Sequence, residues 1–129
     1  MWRDTISSGK SELLVAKDVD QIVGFASFGP SRDEGASSKD AEVWAIYVLP
    51  GHWAQDVGRQ MWLRAQEILV AQGYQSVSLW VLAENARAIR FYLAAGFLPE
   101  PASAKEIVLG GKSLQEVRYV AALSGKDLG

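Results

Sequence analysis

The amino-acid sequence predicts a single domain of the α/β or α+β class, in which two main helices pack against a mixed sheet. Apolar strand segments and amphipathic helical segments follow one another in the order ββ, β, α, β, α, ββ, and a mixed sheet covered by helices accommodates that order best. The chain of 129 residues also has the size of one domain, with 49% hydrophobic and 22% charged residues.

The first part of the chain predicts a β-hairpin. Glu12–Lys17 and Gln21–Phe28 are apolar-rich segments separated by the turn-forming stretch Asp18-Val19-Asp20. Residues 1–11 are polar and weakly patterned, so we expect a helix remnant or a loose N-terminal arm there. A polar loop, Ser31–Asp40, follows the hairpin.

The middle of the chain predicts strand, helix and strand. Glu42–Leu49 is an apolar strand that stops at Pro50. Val57–Gln72 carries a helical stripe of apolar residues, and Gly73 is well placed to end that helix. The nearly continuous apolar content of Ser76–Leu82 indicates a strand inside the sheet.

The last third predicts a short helix and a second hairpin. Asn85–Ala95 is the helix, which Gly96 ends. Ile107–Leu109 and Glu116–Ala122 are the hairpin strands, joined by a glycine-containing turn. We expect residues 123–129 to form a C-terminal tail of the single domain 1–129.

Composition excludes several classes of function. A net charge of −2 gives no global attraction to nucleic acid or to an anionic membrane. The apolar stretches are far shorter than the roughly 20 residues of a membrane helix. Because residues 1–4 begin without an apolar signal core, we expect the protein to be cytoplasmic.

The chemistry available to the chain is also restricted. There is no cysteine, which removes disulfides and thiol nucleophiles, and the single histidine, His52, argues against a metal site or a Ser–His–Asp triad. Catalysis would therefore depend on carboxylates, tyrosine, backbone groups and a bound cofactor. We predict no metal.

The turn between the strand Glu42–Leu49 and the helix beginning at Val57 is a candidate anion site. A strand that feeds a helix through a tight turn directs unpaired backbone N–H groups and the positive end of the helix dipole at one point. Such a point suits the phosphates of a cofactor.

Three segments together resemble the GNAT superfamily of acyl-CoA N-acetyltransferases. Ala41–Pro50 is similar to the central strand of that family, and the turn into Val57-Gly58-Arg59 stands where its pyrophosphate loop belongs. Leu79–Phe97 matches the family segment in which a strand is followed by Asn, a helix, Phe-Tyr and Gly-Phe.

This resemblance implies a fold and a reaction. The fold is a GNAT-like mixed, largely antiparallel sheet of about six strands with two main helices and a shortened N-terminal region. The reaction is the transfer of acetyl from acetyl-CoA to a primary amine of a small molecule or peptide, directly in a ternary complex. The alternative is a degenerate GNAT fold with a weakened CoA site, acting as a binding or structural module.

Two catalytic candidates follow from the resemblance. Glu42 matches the position of a general base in some members, and on a regular strand it would share an apolar face with Trp44, Ile46 and Val48. The alternative is a solvent-facing glutamate at a strand end. Tyr92 matches the tyrosine that protonates the CoA thiolate, and its alternative role is to pack a helix against the sheet.

The resemblance also implies contacts with the cofactor. Backbone groups of the central strand would pair with the pantetheine arm as an added strand does. Asn85 would bond the same arm, with a helix N-cap as its alternative or additional role. Arg59 is either a pyrophosphate ligand or a solvated helix residue. The expected cofactor-binding residues are Ile46, Tyr47, Val48, Val57, Gly58, Arg59, Asn85 and Tyr92.

The sequence departs from the family pattern in two places. In the pyrophosphate loop, Trp53 replaces Gln or Arg and Asp56 replaces the first Gly. Asp56 could repel the phosphates, cap the helix or turn toward solvent. Residues 1–11 stand where members have a strand and one or two helices, and a missing edge strand would favour a homodimer through the sheet edge.

Overall fold

The computed structural model describes residues 2–8 and 11–123. It contains strands and helices in the expected alternation, with a short 3-10 segment at Pro50–Gln55 between the fourth strand and the first helix. The elements are β1 (Trp2–Ser8), β2 (Ser11–Asp18), β3 (Gln21–Pro30), β4 (Asp40–Val48), α1 (Val57–Ala71), β5 (Ser76–Leu82), α2 (Ala86–Ala94), β6 (Leu98–Pro99), β7 (Lys105–Leu109) and β8 (Lys112–Ala122).

All the strands within residues 2–8 and 11–123 belong to one eight-stranded sheet. Its order is β1-β2-β3-β4-β5-β8-β6, and β7 also pairs with β8. Among the described strands β4 and β5 pair in parallel and the other neighbours pair antiparallel. The predicted mixed, largely antiparallel sheet with two helices is therefore confirmed, with eight strands in place of about six.

The prediction for the N-terminus was wrong. The expected helix remnant or loose arm is the strand β1, which pairs with β2 from Trp2↔Lys17 to Ser8↔Ser11. The polar sequence of β1 gives little indication of a strand. This segment is extended because its backbone pairs with the outer edge of β2. Because β1 covers this edge, the missing edge strand no longer argues for a homodimer.

The second additional strand, β6, consists of Leu98 and Pro99, which lie opposite Val120 and Tyr119 of β8. Such a short segment has no period to detect in the sequence. Of the predicted C-terminal tail, only Leu123 is described, and its backbone N–H donates to the carbonyl of Gln75 at 2.8 Å. Residues 124–129 lie outside the described part of the chain.

The core lies between the sheet and helix α1. Leu14, Phe28, Met61 and Leu69 are fully buried there. Gly24 on β3 is a requirement of this packing, because a Cβ atom at that position would lie 2.7 Å from the Tyr47 carbonyl oxygen. Burial of the apolar stripe of α1, which follows the predicted helical period, provides the main driving force for this arrangement.

The two central strands β4 and β5 diverge. Their pairing consists of Asp40↔Ser76, Ala41↔Val77 and Glu42↔Ser78, and no later pairs join them along the described lengths of both strands. β4 continues to Val48, so most of its length lies beyond the described pairing with β5. A gap therefore opens between these two strands.

A β-bulge lies next to this gap. Phe28 pairs with Val43 and Ser27 pairs with Ala45, which leaves Trp44 as the extra residue on β4. The bulge reverses the alternation of side chains, so Glu42 does not share a face with Ile46 and Val48. The prediction of a common face assumed a regular strand and was wrong for this reason.

Candidate functional site

A cleft of about 780 Å³ opens beside the end of β4, between helices α1 and α2. Its size falls within the ordinary range of sites for small molecules and cofactors. Its described lining comes from β4, from the first two thirds of α1 and the residue before it, and from α2 and the residue on either side of it. These residues are Ile46, Tyr47, Val48, Asp56, Gly58, Arg59, Trp62, Leu63, Gln66, Asn85, Arg87, Ala88, Arg90, Phe91, Tyr92, Ala94 and Ala95.

The structure brings together most of the residues that sequence reasoning assigned to the cofactor. Seven of the eight line this cleft: Ile46, Tyr47, Val48, Gly58, Arg59, Asn85 and Tyr92. The eighth, Val57, has a fully buried side chain that belongs to the core. Any contact between Val57 and a cofactor is therefore limited to its backbone.

The first turn of α1 presents unpaired backbone donors. The first hydrogen bond within this helix runs from the Gln60 N–H to the Asp56 carbonyl oxygen at 3.1 Å. The N–H groups of Val57, Gly58 and Arg59 precede it and have no partner within the helix. No described side chain caps this helix. The positive end of α1 is therefore available to an anion.

Asp56 takes a position that the sequence did not indicate. Its backbone is left-handed, with φ of 64° and ψ of 18°, a conformation that glycine and, less readily, Asp and Asn adopt. Its carboxylate neither caps the helix nor projects freely into solvent. Both carboxylate oxygens accept from the Nε of Arg59, at 3.1 and 2.9 Å, so a cation of the cleft neutralises the charge.

Gly58 allows α1 and α2 to approach each other. A Cβ atom at this position would lie 3.0 Å from Cε1 of Phe91, closer than ordinary van der Waals contact. The small residue therefore has a packing role in addition to exposing its backbone N–H at the helix start. Trp53, the other departure in this loop, has a side chain outside the described part of the structure.

The charge of the cleft favours an anionic ligand. Three arginines, Arg59, Arg87 and Arg90, belong to its described lining, against a single carboxylate, that of Asp56. The chain as a whole has a net charge of −2, so this accumulation of positive charge is local. Such a distribution raises the local concentration of anions around the positive end of α1.

Tyr92 lies at the inner side of the cleft among aromatic rings. Its ring packs edge-to-face on Phe91 at 5.5 Å and on Phe97 at 5.7 Å between centroids. Burial raises the pKa of the Tyr92 hydroxyl to about 12. The hydroxyl is therefore a neutral hydrogen-bond donor throughout the physiological pH range. The packing role considered for Tyr92 is therefore seen in the structure, and its role as the group that protonates the CoA thiolate stays a prediction.

Asn85 is the N-cap of α2. Its Oδ1 accepts from the backbone N–H of Ala88 at 3.1 Å, which is the alternative role considered for it. The same residue lines the cleft, so its side-chain amide N–H₂ group is compatible with a contact there. The two roles do not compete, because the cap uses the amide oxygen.

Glu42 lies in a second cavity, of about 400 Å³, rather than in the first cleft. Its side chain is 6% exposed. Glu42 Oε1 accepts from the Arg32 backbone N–H at 2.9 Å, and Oε2 lies 3.6 Å from the Arg32 guanidinium. The expected apolar setting of this carboxylate was wrong, because the loop before β4 folds back and supplies polar partners.

Sequence reasoning missed an ion-pair network next to Glu42. Asp33 Oδ1 accepts from the Trp80 indole N–H at 3.0 Å, and Oδ2 accepts from Nε of Arg118 at 2.9 Å. Arg118 also donates to Glu100 at 2.6 Å. These contacts join the loop 31–39, strand β5 and the segment after β6. No local pattern signals them, since the partners are distant along the chain.

Comparison with known proteins agrees with this architecture. The chain matches the model of the Acetyltransferase (GNAT) family over residues 1–97. It therefore belongs to the GNAT family of acetyltransferases. The resemblance inferred from the central strand, the helix start and the Asn-to-Gly-Phe segment is confirmed.

Relatives in sequence include named acetyltransferases. The uncharacterized N-acetyltransferase YuaI of Bacillus subtilis is 36% identical over 117 residues, which is 90% of this chain and 64% of that protein. A mycothiol acetyltransferase of Beutenbergia cavernae is 43% identical over 63 residues, or 46% of this chain and 21% of that protein. The chain thus spans less than two thirds of the length of these relatives.

Solved structures show the same fold. The smu.2055 protein of Streptococcus mutans superimposes with a TM-score of 0.77 at 26% identity, covering 90% of this chain and 72% of its own. The putative acetyltransferase yncA of Salmonella typhimurium was solved with its cofactor acetyl-CoA. It superimposes with a TM-score of 0.76 at 23% identity, covering 88% of this chain and 65% of its own. Among the described residues of our chain, no helix is both long and apolar enough to cross a membrane.

Proposed function

We propose that this protein transfers acetyl from acetyl-CoA to a primary amine of a small molecule or peptide, directly within a ternary complex. The observation that carries the proposal is the divergence of β4 and β5 after Glu42, together with a cationic cleft beside the end of β4 and a second cavity whose lining includes Glu42. A direct transfer needs such an arrangement, because the thioester and the amine must meet at one point from separate sites.

The proposed cofactor site uses charge and unpaired backbone groups. The pyrophosphate would bind the N–H groups of Val57, Gly58 and Arg59 at the positive end of α1, with Arg59 as an additional cation. Backbone groups of Ile46, Tyr47 and Val48, in the part of β4 beyond its pairing with β5, would bond the pantetheine arm in the manner of an added strand. Asn85 would bond the same arm through its amide.

The proposed chemistry separates proton removal from proton delivery. The amine attacks the thioester carbonyl, the C–N bond forms and the C–S bond breaks. Glu42 would accept the proton lost by the amine, directly or through water, and a backbone N–H at the edge of β4 would polarise the carbonyl. Tyr92 would donate a hydrogen bond to the departing sulfur, and the thiolate would take up a proton from solvent.

The high pKa of Tyr92 defines the form in which it acts. Because burial raises that pKa to about 12, the hydroxyl stays protonated and ready to donate. An ordinary thiol has a pKa near 8.5, so a full transfer to a relaxed thiolate is uphill. Tyr92 would therefore contribute mainly a hydrogen bond to the sulfur as its negative charge develops, which lowers the barrier for C–S cleavage.

The test of the cofactor site is titration calorimetry of the purified chain with acetyl-CoA. Binding in about the micromolar range supports the proposal. Arg59→Ala should weaken binding about tenfold through loss of a phosphate contact. Arg64→Ala is the matched control, because Arg64 lies on the same helix, pairs with Glu67 at 3.9 Å and is not part of the cleft lining.

The second candidate function is a binding or structural module with a lost cofactor site. The observation in its favour is the ion pair between Asp56 and Arg59. In this pair the guanidinium expected to bind the phosphates is already bound to a carboxylate of the chain itself. If the chain shows no binding at millimolar acetyl-CoA, and coupled release of free thiol with a panel of amines is absent, this second function replaces the first.

A further inference from the structure

The second cavity, of about 400 Å³, is lined by residues of β4 and β5 near the point where these strands diverge, and by residues outside them. Its described lining is formed by Arg32, Asp33, Glu42, Val43, Trp44, Trp80, Lys105 and Glu116. The shape and size suit one small molecule. Under the proposed function, the cavity would hold the acceptor, and its chemistry then indicates which class of amine it accepts.

Two tryptophans form walls of this cavity, and each carries a cation on its face. The Arg32 guanidinium carbon lies 4.8 Å from the Trp44 ring centroid. The Lys105 ammonium lies 4.1 Å from the Trp80 ring centroid. Contacts of this kind hold long, flexible side chains in defined positions, so both cations are placed before any ligand arrives.

Two carboxylates of the cavity lining, Asp33 and Glu42, already have partners. Asp33 accepts from Trp80 and from Arg118, one bond to each oxygen. Glu42 accepts from the backbone N–H of Arg32 at 2.9 Å. Asp33 is therefore engaged through both oxygens, whereas Glu42 keeps acceptor positions that an amine can use.

The donors of the cavity are much less committed. The closest carboxylate contact of the Arg32 guanidinium is the 3.6 Å approach to Glu42, and its side chain is 68% exposed. Lys105 forms no ion pair with any described side chain, and the indole N–H of Trp44 is buried without a hydrogen-bond partner among the described residues. Such donors favour a ligand that carries an anionic group.

One carboxylate of the lining is also uncommitted. Glu116 lies opposite Lys105 in the β7–β8 pair and forms no ion pair with the described side chains. The cavity therefore offers unused groups of both signs. A purely cationic acceptor such as a polyamine would be attracted by the carboxylate of Glu116. It would be repelled by the positive charges of Arg32 and Lys105.

We propose that the acceptor is a zwitterionic amine of the free α-amino-acid type, whose carboxylate binds Arg32 and Lys105 and whose amine faces Glu42. An apolar or aromatic side chain would pack between Trp44 and Trp80. This inference rests on the proposed function, since Glu42 acts on the amine only if acetyl transfer occurs. Arg32 and Lys105 are then the residues that determine specificity.

The test compares three acceptors at saturating acetyl-CoA: phenylalanine, phenylalanine amide and spermidine. We expect kcat/KM for phenylalanine to exceed that for its amide by about tenfold, the effect of one charge-assisted contact. The amide has the lower amine pKa and more free amine at a given pH. Without a carboxylate site, the amide would therefore be the faster acceptor. A faster reaction with phenylalanine amide or with spermidine would overturn the proposal.

Variants assign the effect to the two cations. Lys105→Gln and Arg32→Gln should each reduce the preference for phenylalanine over its amide toward parity while KM for acetyl-CoA stays unchanged. Lys112→Gln is the matched control, because Lys112 is an exposed lysine on β8 that is not part of the cavity lining. A preference that survives in both cavity variants contradicts the proposal.

A binding measurement separates this inference from the proposed function. The protein is titrated with phenylalanine in the absence of acetyl-CoA, and binding is measured by the change in tryptophan fluorescence. The variant Trp80→Phe shows how much of that change comes from the tryptophan in the cavity wall. If acetyl-CoA does not bind but phenylalanine binds more tightly than its amide, the proposed function fails and the carboxylate site stands. If phenylalanine neither binds nor reacts, the site is absent.

Discussion

The carboxylate of Asp56 accepts two hydrogen bonds from the Nε of Arg59, at 3.1 and 2.9 Å, across the first turn of α1. Both side chains are about half exposed or more, so the pair itself contributes little to stability. Its importance lies in its position, since it engages the cation nearest the unpaired N–H groups of the helix. This contact sets how strongly an anion can bind there.

Asp56→Gly should tighten the binding of acetyl-CoA by about tenfold, as measured by titration calorimetry. Glycine adopts the left-handed φ of 64° at this position without strain, the negative charge is removed and Arg59 is released. Asp56→Asn serves as the control, because it removes the charge and keeps a side chain that tolerates this conformation. Unchanged or weaker binding in both variants would show that Asp56 does not oppose the cofactor.

Gly58→Ala should reduce both stability and cofactor binding. The new Cβ atom would lie 3.0 Å from Phe91, and the resulting shift of α2 should lower the unfolding free energy by about 1–2 kcal/mol. Gly51→Ala is the matched control, because no atom lies within 4 Å of a Cβ placed there. Urea denaturation measures the difference. Equal stability of the two variants would contradict the packing role of Gly58.

Tyr92→Phe should lower kcat by about tenfold to a hundredfold and leave KM for acetyl-CoA nearly unchanged, because one hydrogen bond to the leaving sulfur is lost while the ring packing remains. Steady-state kinetics with a thiol reagent measures this change. A matching loss in Leu93→Ala, an exposed position of the same helix, would instead indicate a general disturbance of α2.

The pH dependence of stability provides a separate check on Tyr92. Its pKa is raised from 10.0 to about 12 by burial, so the folded state holds this proton more tightly than the unfolded state. The contribution of the Tyr92 hydroxyl to the free energy of unfolding is fully present below about pH 10. This contribution is lost as the pH rises toward 12. Comparing wild type with Tyr92→Phe by chemical denaturation across this range should show a steeper loss in wild type.

Asp33→Asn should destabilise the protein by about 1–3 kcal/mol, because Arg118 loses a partly buried ionic partner. Burial alone would raise the pKa of Asp33, but hydrogen bonds from Trp80 and Arg118 outweigh it and lower that pKa below 3.8. The stabilisation is therefore present above pH 3.8 and lost as the pH falls through the lowered value.

Kinetics of the same variant test its effect on the second cavity. Asp33→Asn should raise KM for the amine more than KM for acetyl-CoA, because the loop 31–39 lines only the second cavity in the described structure. Glu34→Gln is the control, since Glu34 is an exposed neighbour outside both cavity linings. Equal changes in the two KM values would mean that the network acts on the whole domain.

The elements that could be predicted are those with a strong local signal. Helix α1 shows an apolar stripe that predicts its buried face, and Gly73 and Gly96 follow the two helices with φ of 91° and 100°. The seven cofactor residues that line the cleft could be assigned because the Asn-to-Gly-Phe segment and the central strand are contiguous in sequence. The role of such contiguous segments can be predicted without knowledge of contacts that are distant in sequence.

The elements that could not be predicted depend on distant partners. Strand β1 has a polar sequence and is defined by its pairing with β2. The face of Glu42 changed because one extra residue, Trp44, enters the pairing of β3 and β4. The local spacing of apolar residues predicts neither a bulge nor the partner of an edge strand.

The amino-acid sequence by itself determined the family of this protein, the order of its main elements and the residues around the first cleft, because periodicity and capping signals are short-range. The tertiary structure alone decided the surroundings of Glu42 and the network that joins Asp33 to Arg118. These arrangements arise from groups 10 to 85 positions apart in sequence. Their hydrogen bonds form only after the sheet has brought the donors and acceptors together.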